Sequence, residues 1–110
     1  MGNFYIEISK DYTKTPGGRF EKDGPNSGEV FRKKLLYPMY VDAIEAGCKL
    51  TVNLDGCFGY PSSFIDEAFG GLAKEQKDRT ILNNIIIISN DQPGLIDKIR
   101  DCIENADIEE

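Results

Sequence analysis

Ser62 and Ser63 are the side chains with the most suggestive surroundings. They stand where a loop from Asp55 to Pro61, carrying Gly56 and Gly59, meets a stretch of helical periodicity. In that stretch Phe64, Ala68 and Leu72 recur, with Ile65, Phe69 and Ala73 beside them. Free N–H groups in the first turn of a helix favour an anion, or a phosphate built onto a serine. Either hydroxyl, next to Asp55 and Tyr60, is therefore a candidate for modification or partner contact, and Gly59 and Glu67 belong to the same group. A plainer reading stands beside this one. Ser63 followed by Asp66 and Glu67 is also an N-cap with first-turn acids, and Asp55-Gly56 is also a turn.

A second group surrounds the breaker cluster Asp23 to Gly28. Ser27, Gly28 and Glu29 open a helix, Arg32 lies one turn in, and Arg19 precedes them in a hairpin. Two guanidiniums near helix N-termini can hold an anionic group by forked hydrogen bonds. Pairing with Glu29 or Asp55 is the plain alternative. Gly70-Gly71 lies inside a helical pattern, where each glycine costs about 1 kcal/mol relative to alanine. Either a neighbouring backbone or a partner comes close there, or the helix ends early.

Catalysis finds little footing. There is no histidine, no nucleophile with a recognisable base, and no phosphate-cradling glycine motif. Cys57 reads as a small apolar filler. Cys48, Cys57 and Cys102 are odd in number and lack C-x-x-C spacing, which argues against a zinc site or a disulfide scaffold. No metal or cofactor is expected, and the expected compartment is a reducing cytoplasm. The net charge of −6 argues against nucleic acid as a partner. The longest apolar run, Ile85–Ile88, is far too short to span a membrane, and no leader opens the sequence.

These groups need a scaffold. Phe4 to Ile8 alternates apolar and polar residues as a half-buried strand does, and Arg19-Phe20-Glu21 after Pro16-Gly17-Gly18 suggests a short returning strand. Phe31, Leu35, Met39 and Ala43 define an amphipathic helix, with Leu36, Tyr40 and Ile44 beside them. Asn26 or Ser27 can cap it, Glu29 fits a capping box with Asn26, and Gly47 is placed to stop it. Pro38 predicts a kink or two short helices. Leu50, Val52 and Leu54 mark a second strand. Ile85 to Ile88 reads as a central strand covered on both faces, or at least deeply buried. Pro93 opens a last helix with Leu95, Ile96, Ile99 and Ile103 on its core face. The order of elements predicts one α/β domain with crossover helices.

Thr15-Pro16-Gly17-Gly18-Arg19, Gly24-Pro25-Asn26-Ser27-Gly28-Glu29-Val30-Phe31-Arg32, Leu54-Asp55-Gly56 and the run from Gly59 to Leu72 together resemble the small STAS-like family of unknown function. The resemblance implies a single STAS-like domain over residues 1–110, with an acidic tail from about residue 105 that frays. It implies a mixed β-sheet with about three to four helices packed on it, similar in fold to anti-sigma-factor antagonists. Those antagonists have no catalysis of their own. They dock a histidine-kinase-type ATPase, which phosphorylates a serine at the start of the helix after a Leu-Asp strand. The match places Ser63, or failing that Ser62, at that position, although Pro61 and Phe64 stand where antagonists carry an aspartate and a glycine. The expected function is a non-catalytic regulatory module that binds a protein partner. The alternative is a sensor for a small anion or nucleotide, using the same loop with Arg19 and Arg32.

Overall fold

β-Branched and alternating apolar residues form three short strands in a computed structural model that describes residues 4–108. They are β1 (Tyr5–Glu7), β2 (Leu50–Asn53) and β3 (Ile85–Ile88). All pair in parallel in the order β1-β2-β3, with Ile6, Val52 and Ile87 in register. The chain is of the α/β class, as its alternating pattern indicates. The returning strand does not form. Phe20 donates its N–H to Asp23 Oδ2 at 2.9 Å, Glu21 donates to Glu29 Oε1 at 2.9 Å, and Glu21–Asp23 is a 3₁₀ turn. Side chains satisfy this backbone locally, so it adds no antiparallel strand and the described sheet is parallel throughout instead of mixed.

Four helices accompany the strands. A single turn, α1 (Ile8–Asp11), follows β1 directly. Residues 28–45 form α2, in which a π-turn at Arg32–Leu36 joins Gly28–Phe31 to Tyr37–Glu45. Residues 62–76 form α3, built the same way around a π-turn at Asp66–Gly70. The last is α4 (Gly94–Glu104). No helix of the described residues is long and apolar enough to cross a membrane.

Pro38 does not split α2, whose helical residues run on without a break. Tyr37 donates its N–H to the Arg32 carbonyl, five residues back. This wider turn stands directly before the proline, whose ring would otherwise crowd the Lys34 carbonyl. It also moves the buried face. The residues that reach the core are Phe31, Leu36, Tyr40 and Ala43, whereas Leu35 and Met39, on the expected stripe, are only partly buried. The stop at Gly47 is as expected, with φ at +70°.

α3 lies between α2 and α4. Phe64, Ile65, Ala68, Phe69, Leu72 and Ala73 are buried there against Phe31, Ile99, Ile103 and the inward face of the sheet. Only one sheet face is covered. Ile85 is buried but Ile86 is 47% exposed, and β3 is an edge strand, not the central strand its composition suggests. With one layer of helices, every second residue of each strand faces away from the core. The tail expected to fray is docked as far as it is described: Ala106 is buried and its carbonyl accepts from Arg79 at 2.9 Å. Glu109 and Glu110 lie outside the described residues.

Candidate functional site

Parallel strands send their following loops off one edge of the sheet, and Asp55 ties two of those loops together. Its Oδ1 accepts the N–H groups of Asn90 (2.7 Å) and Asp91 (2.9 Å), and its Oδ2 accepts from Asn90 Nδ2 at 3.0 Å. Asp91 reciprocates by accepting the Gly56 N–H at 3.0 Å. The carboxylate proposed from sequence as a contact residue is therefore an internal clasp. Asp55→Ala is expected to lower stability by about 1–3 kcal/mol in urea denaturation, since it removes three hydrogen bonds to a charged acceptor.

Tyr60 closes the loop from inside. Its ring is buried and packs on Phe64 with centroids 5.9 Å apart. Its hydroxyl donates to the Leu54 carbonyl at 2.8 Å and lies 3.0 Å from Cys57 Sγ. Burial, followed by the contact with Cys57, raises the phenol far above its ordinary range. Burial also raises the Cys57 thiol, although the Tyr60 hydrogen bond opposes this, and Cys57 Sγ donates to the Thr13 carbonyl at 3.3 Å. A protonated, tethered thiol is a poor nucleophile. Tyr60 is thus a fastener of the loop, with little of its own surface exposed.

Pro61 takes the cap position of α3, so Ser62 and Ser63 are its first two helical residues and neither caps it. The Pro61 carbonyl accepts from Phe64 N–H at 3.1 Å. Ser62 is exposed, and its Oγ accepts a hydrogen bond from Lys98 Nζ on α4. Ser63 is half-buried, and among the described residues its hydroxyl makes no hydrogen bond. Gly59 lines a shallow depression of about 440 Å³ with Thr15, Pro16, Phe58 and Pro61. Phe58, at its rim, is 84% exposed.

Phe58 and Lys98 have no counterpart among the candidates read from sequence. A lone phenylalanine between Cys57 and Gly59 looks like any core residue, and the breakers around it are the one hint of a loop tip. Lys98 reaches Ser62 only because α4 folds back against α3, 36 positions along the chain.

The second group assembles into something other than an anion site. Ser27 is buried as the cap of α2 and accepts the Val30 N–H at 3.2 Å. Glu29 accepts from Glu21 and pairs with Lys33 at 3.3 Å, and the Glu21 hydrogen bond is the main cause of its lowered pKa. Arg32 is buried. Its Nη1 donates at 2.6 Å to both the carbonyl and Oε2 of Glu67, and its Nε donates to Glu75. Arg19 Nη1 meets Asp66 Oδ2 at 2.5 Å and lies 3.8 Å from Glu67 Oε1. Burial pulls the Arg32 guanidinium down, but its bonds to Glu67 and Glu75 outweigh that and its pKa rises. Arg19 rises through its hydrogen bond to Asp66. The partners are thus Asp66, Glu67 and Glu75, where sequence offered Glu29 or Asp55.

Gly70 and Gly71 make this cluster possible. Glu67, Gly71 and Glu75 follow one another at four-residue spacing along α3, and Arg32 lies on that stripe. A Cβ on Gly71 would overlap the guanidinium, standing 2.9 Å from Cζ. A Cβ on Gly70 would stand 3.3 Å from the Cys102 carbonyl of α4. Both glycines serve helix packing. The cleft of about 400 Å³ beside them sets Arg19, Arg32 and Lys74 against Asp66, Glu67, Glu75 and Asp107, a balance that does not favour an anion.

A family model described as a STAS-like domain of unknown function (DUF4325) matches residues 27–95. That span runs from the Ser27 cap through both π-turns and the Ser62 loop to the first turn of α4. No curated protein and no solved structure matches the chain.

Proposed function

Because the chain belongs to the STAS-like domain family of unknown function, we propose that it acts in the cytoplasm as a regulatory protein-binding module, not as an enzyme, docking its partner through Phe58 to Ser62. Phe58 carries this reading. A largely exposed phenyl ring on a well-held backbone loses little further freedom on docking, which is how aromatic anchors contribute most. Its N–H donates to the Lys14 carbonyl at 2.9 Å, and Tyr60 fastens the loop just beyond it.

The partner we infer is a histidine-kinase-type ATPase, by analogy with the antagonists that the fold resembles. Ser62 is its preferred target and Ser63 the second choice, because Ser62 is the more exposed. The γ-phosphoryl group of ATP passes to Ser62 Oγ, ADP leaves, and the hydroxyl proton goes to a base on the partner. The phosphate adds about −1.5 to −2 charge at neutral pH. Lys98 and the first-turn amides of α3 stand ready to receive it. Asp66 and Glu67, which would repel it, are held by Arg19 and Arg32.

Phe58→Ser is expected to leave folding stability within about ±0.5 kcal/mol and to abolish binding of the ATPase in pull-down. Incubation with ATP and the ATPase should add one phosphate at Ser62 by mass spectrometry. Equal recovery of the ATPase by the wild type and Phe58→Ser would remove the docking surface. No mass gain on either serine would leave docking without a switch.

A further inference from the structure

The two edges of the sheet are finished differently. On β1 the Thr51 N–H donates to the Phe4 carbonyl, so Ile6 also bonds β2 while Tyr5 and Glu7 turn their backbone groups outward. That edge is closed: Asp11 Oδ2 accepts the Glu7 N–H at 2.8 Å and the chain turns at once into α1. On β3 the Leu54 N–H donates to the Ile88 carbonyl at 2.8 Å. Ile86 and Ile88 therefore bond β2, Ile87 turns its N–H and C=O outward, and Ile85 turns its C=O outward while its N–H donates back to the Leu82 carbonyl. Among the described residues the Ile87 N–H and the Ile85 and Ile87 carbonyls meet no partner.

Nothing guards this edge chemically. Folded proteins usually protect an open strand with a lysine, a proline, a bulge or an inward-pointing charge. Here the strand is four isoleucines, and from Thr80 to Asn90 there is no charged side chain, in a chain of which 29% is charged. An acidic or basic partner would find no complementary charge on it. A second copy, carrying the same net −6, would meet no like charge directly opposite.

We propose that β3 pairs with β3 of a second copy, antiparallel about a two-fold axis at Ile86, joining two three-stranded sheets into one of six strands. The outward parity suits this register. Ile85 stands opposite the second copy's Ile87 and Ile87 opposite its Ile85, so that each Ile87 N–H donates to the other copy's Ile85 carbonyl, roughly two backbone hydrogen bonds in all. The two Ile86 side chains meet at the axis as the non-hydrogen-bonded pair, with Cα atoms about 4.5 Å apart. Ile86, 47% exposed on the open face, is the residue that such a pair would cover. The arrangement is isologous and closes on itself, so it makes a dimer and no filament.

Sedimentation equilibrium from micromolar to millimolar protein tests the pairing. The wild type is expected to show a monomer–dimer equilibrium. Ile86→Lys places two ammonium groups at the axis and should raise the dimer dissociation constant by about tenfold or more, with unchanged far-UV circular dichroism. Should that variant fold poorly, Ile86→Cys in a Cys48→Ser background decides, because the Cα spacing at the axis lies within disulfide reach. Mild oxidation should yield a covalent dimer, while Tyr37→Cys on the exposed side of α2 stays monomeric in the same background. Phe58→Ser should leave the dimer intact, which separates this edge from the docking loop. A monomeric mass at every concentration, or a dimer indifferent to Ile86→Lys and not cross-linked by Ile86→Cys, overturns the proposal.

Discussion

Arg32→Ala is expected to lower the stability of the fold by about 3–5 kcal/mol, a large part of the 5–15 kcal/mol that a domain ordinarily possesses. The side chain is 9% exposed, and its two partners lie on a different helix. The Glu67 carboxylate, itself 16% exposed, would lose its shortest donor, and the packing of the guanidinium over Gly71 would be lost. Arg32→Lys keeps the charge but not the planar fork that reaches Glu67 and Glu75 together, and should cost about 1–2 kcal/mol. Arg32→Met with Glu67→Leu removes both charges and should recover most of the loss, because isolated burial of a charge and not absence of the pair is what destabilises. Urea denaturation with an unchanged m-value is the measurement. A loss below about 1 kcal/mol for Arg32→Ala would show that the cluster behaves as a surface pair.

Gly28→Ala and Gly94→Ala should move stability in opposite directions, although both add one methyl group to a helix. At Gly28 the new Cβ would stand 2.5 Å from the Phe64 carbonyl oxygen and 3.2 Å from Glu67 Cβ. The first obstacle is backbone, so α2 and α3 must move apart, and overpacking of this kind costs about 1–3 kcal/mol or more. The gain in helix propensity, about 1 kcal/mol, does not offset it. At Gly94 nothing lies within 4 Å of the added atom, and the change should stabilise by about 0.5–1 kcal/mol. Gly71→Ala belongs with Gly28→Ala, because it drives the Arg32 guanidinium off its carboxylates. Paired melting curves read all three. A stabilising Gly28→Ala would contradict the close helix crossing.

Much of this arrangement is legible in the residues alone. The strands at Tyr5, Leu50 and Ile85, the helices around them, and the close approach at Gly70-Gly71 all follow from periodicity and from the cost of glycine in a helix. What escapes is whatever depends on long-range neighbours. Arg32 meets Glu67 and Glu75 across 35 and 43 positions, and local spacing offered Glu29 first. A run of isoleucines marks a strand but not how many layers of helix cover it, so β3 looks central when it is an edge. Leu35 and Met39 stand in for Leu36 and Tyr40 because a four-residue count cannot anticipate a five-residue turn. At the Ser62 loop the helix start was legible to within a residue or two. Which residue caps it was not, since Ser63 and Pro61 both suit the first turn.

The two π-turns, facing each other where α2 crosses α3, have a further consequence. Each holds one residue more than an ordinary helical turn. A homologue shorter by a single amino acid at either place would wind as uninterrupted α-helix, while the segments upstream and downstream kept their orientation toward the interior. These two spots are therefore seams at which the length of the polypeptide can change by one without disturbing its register, and natural variation in length within the helices should gather there.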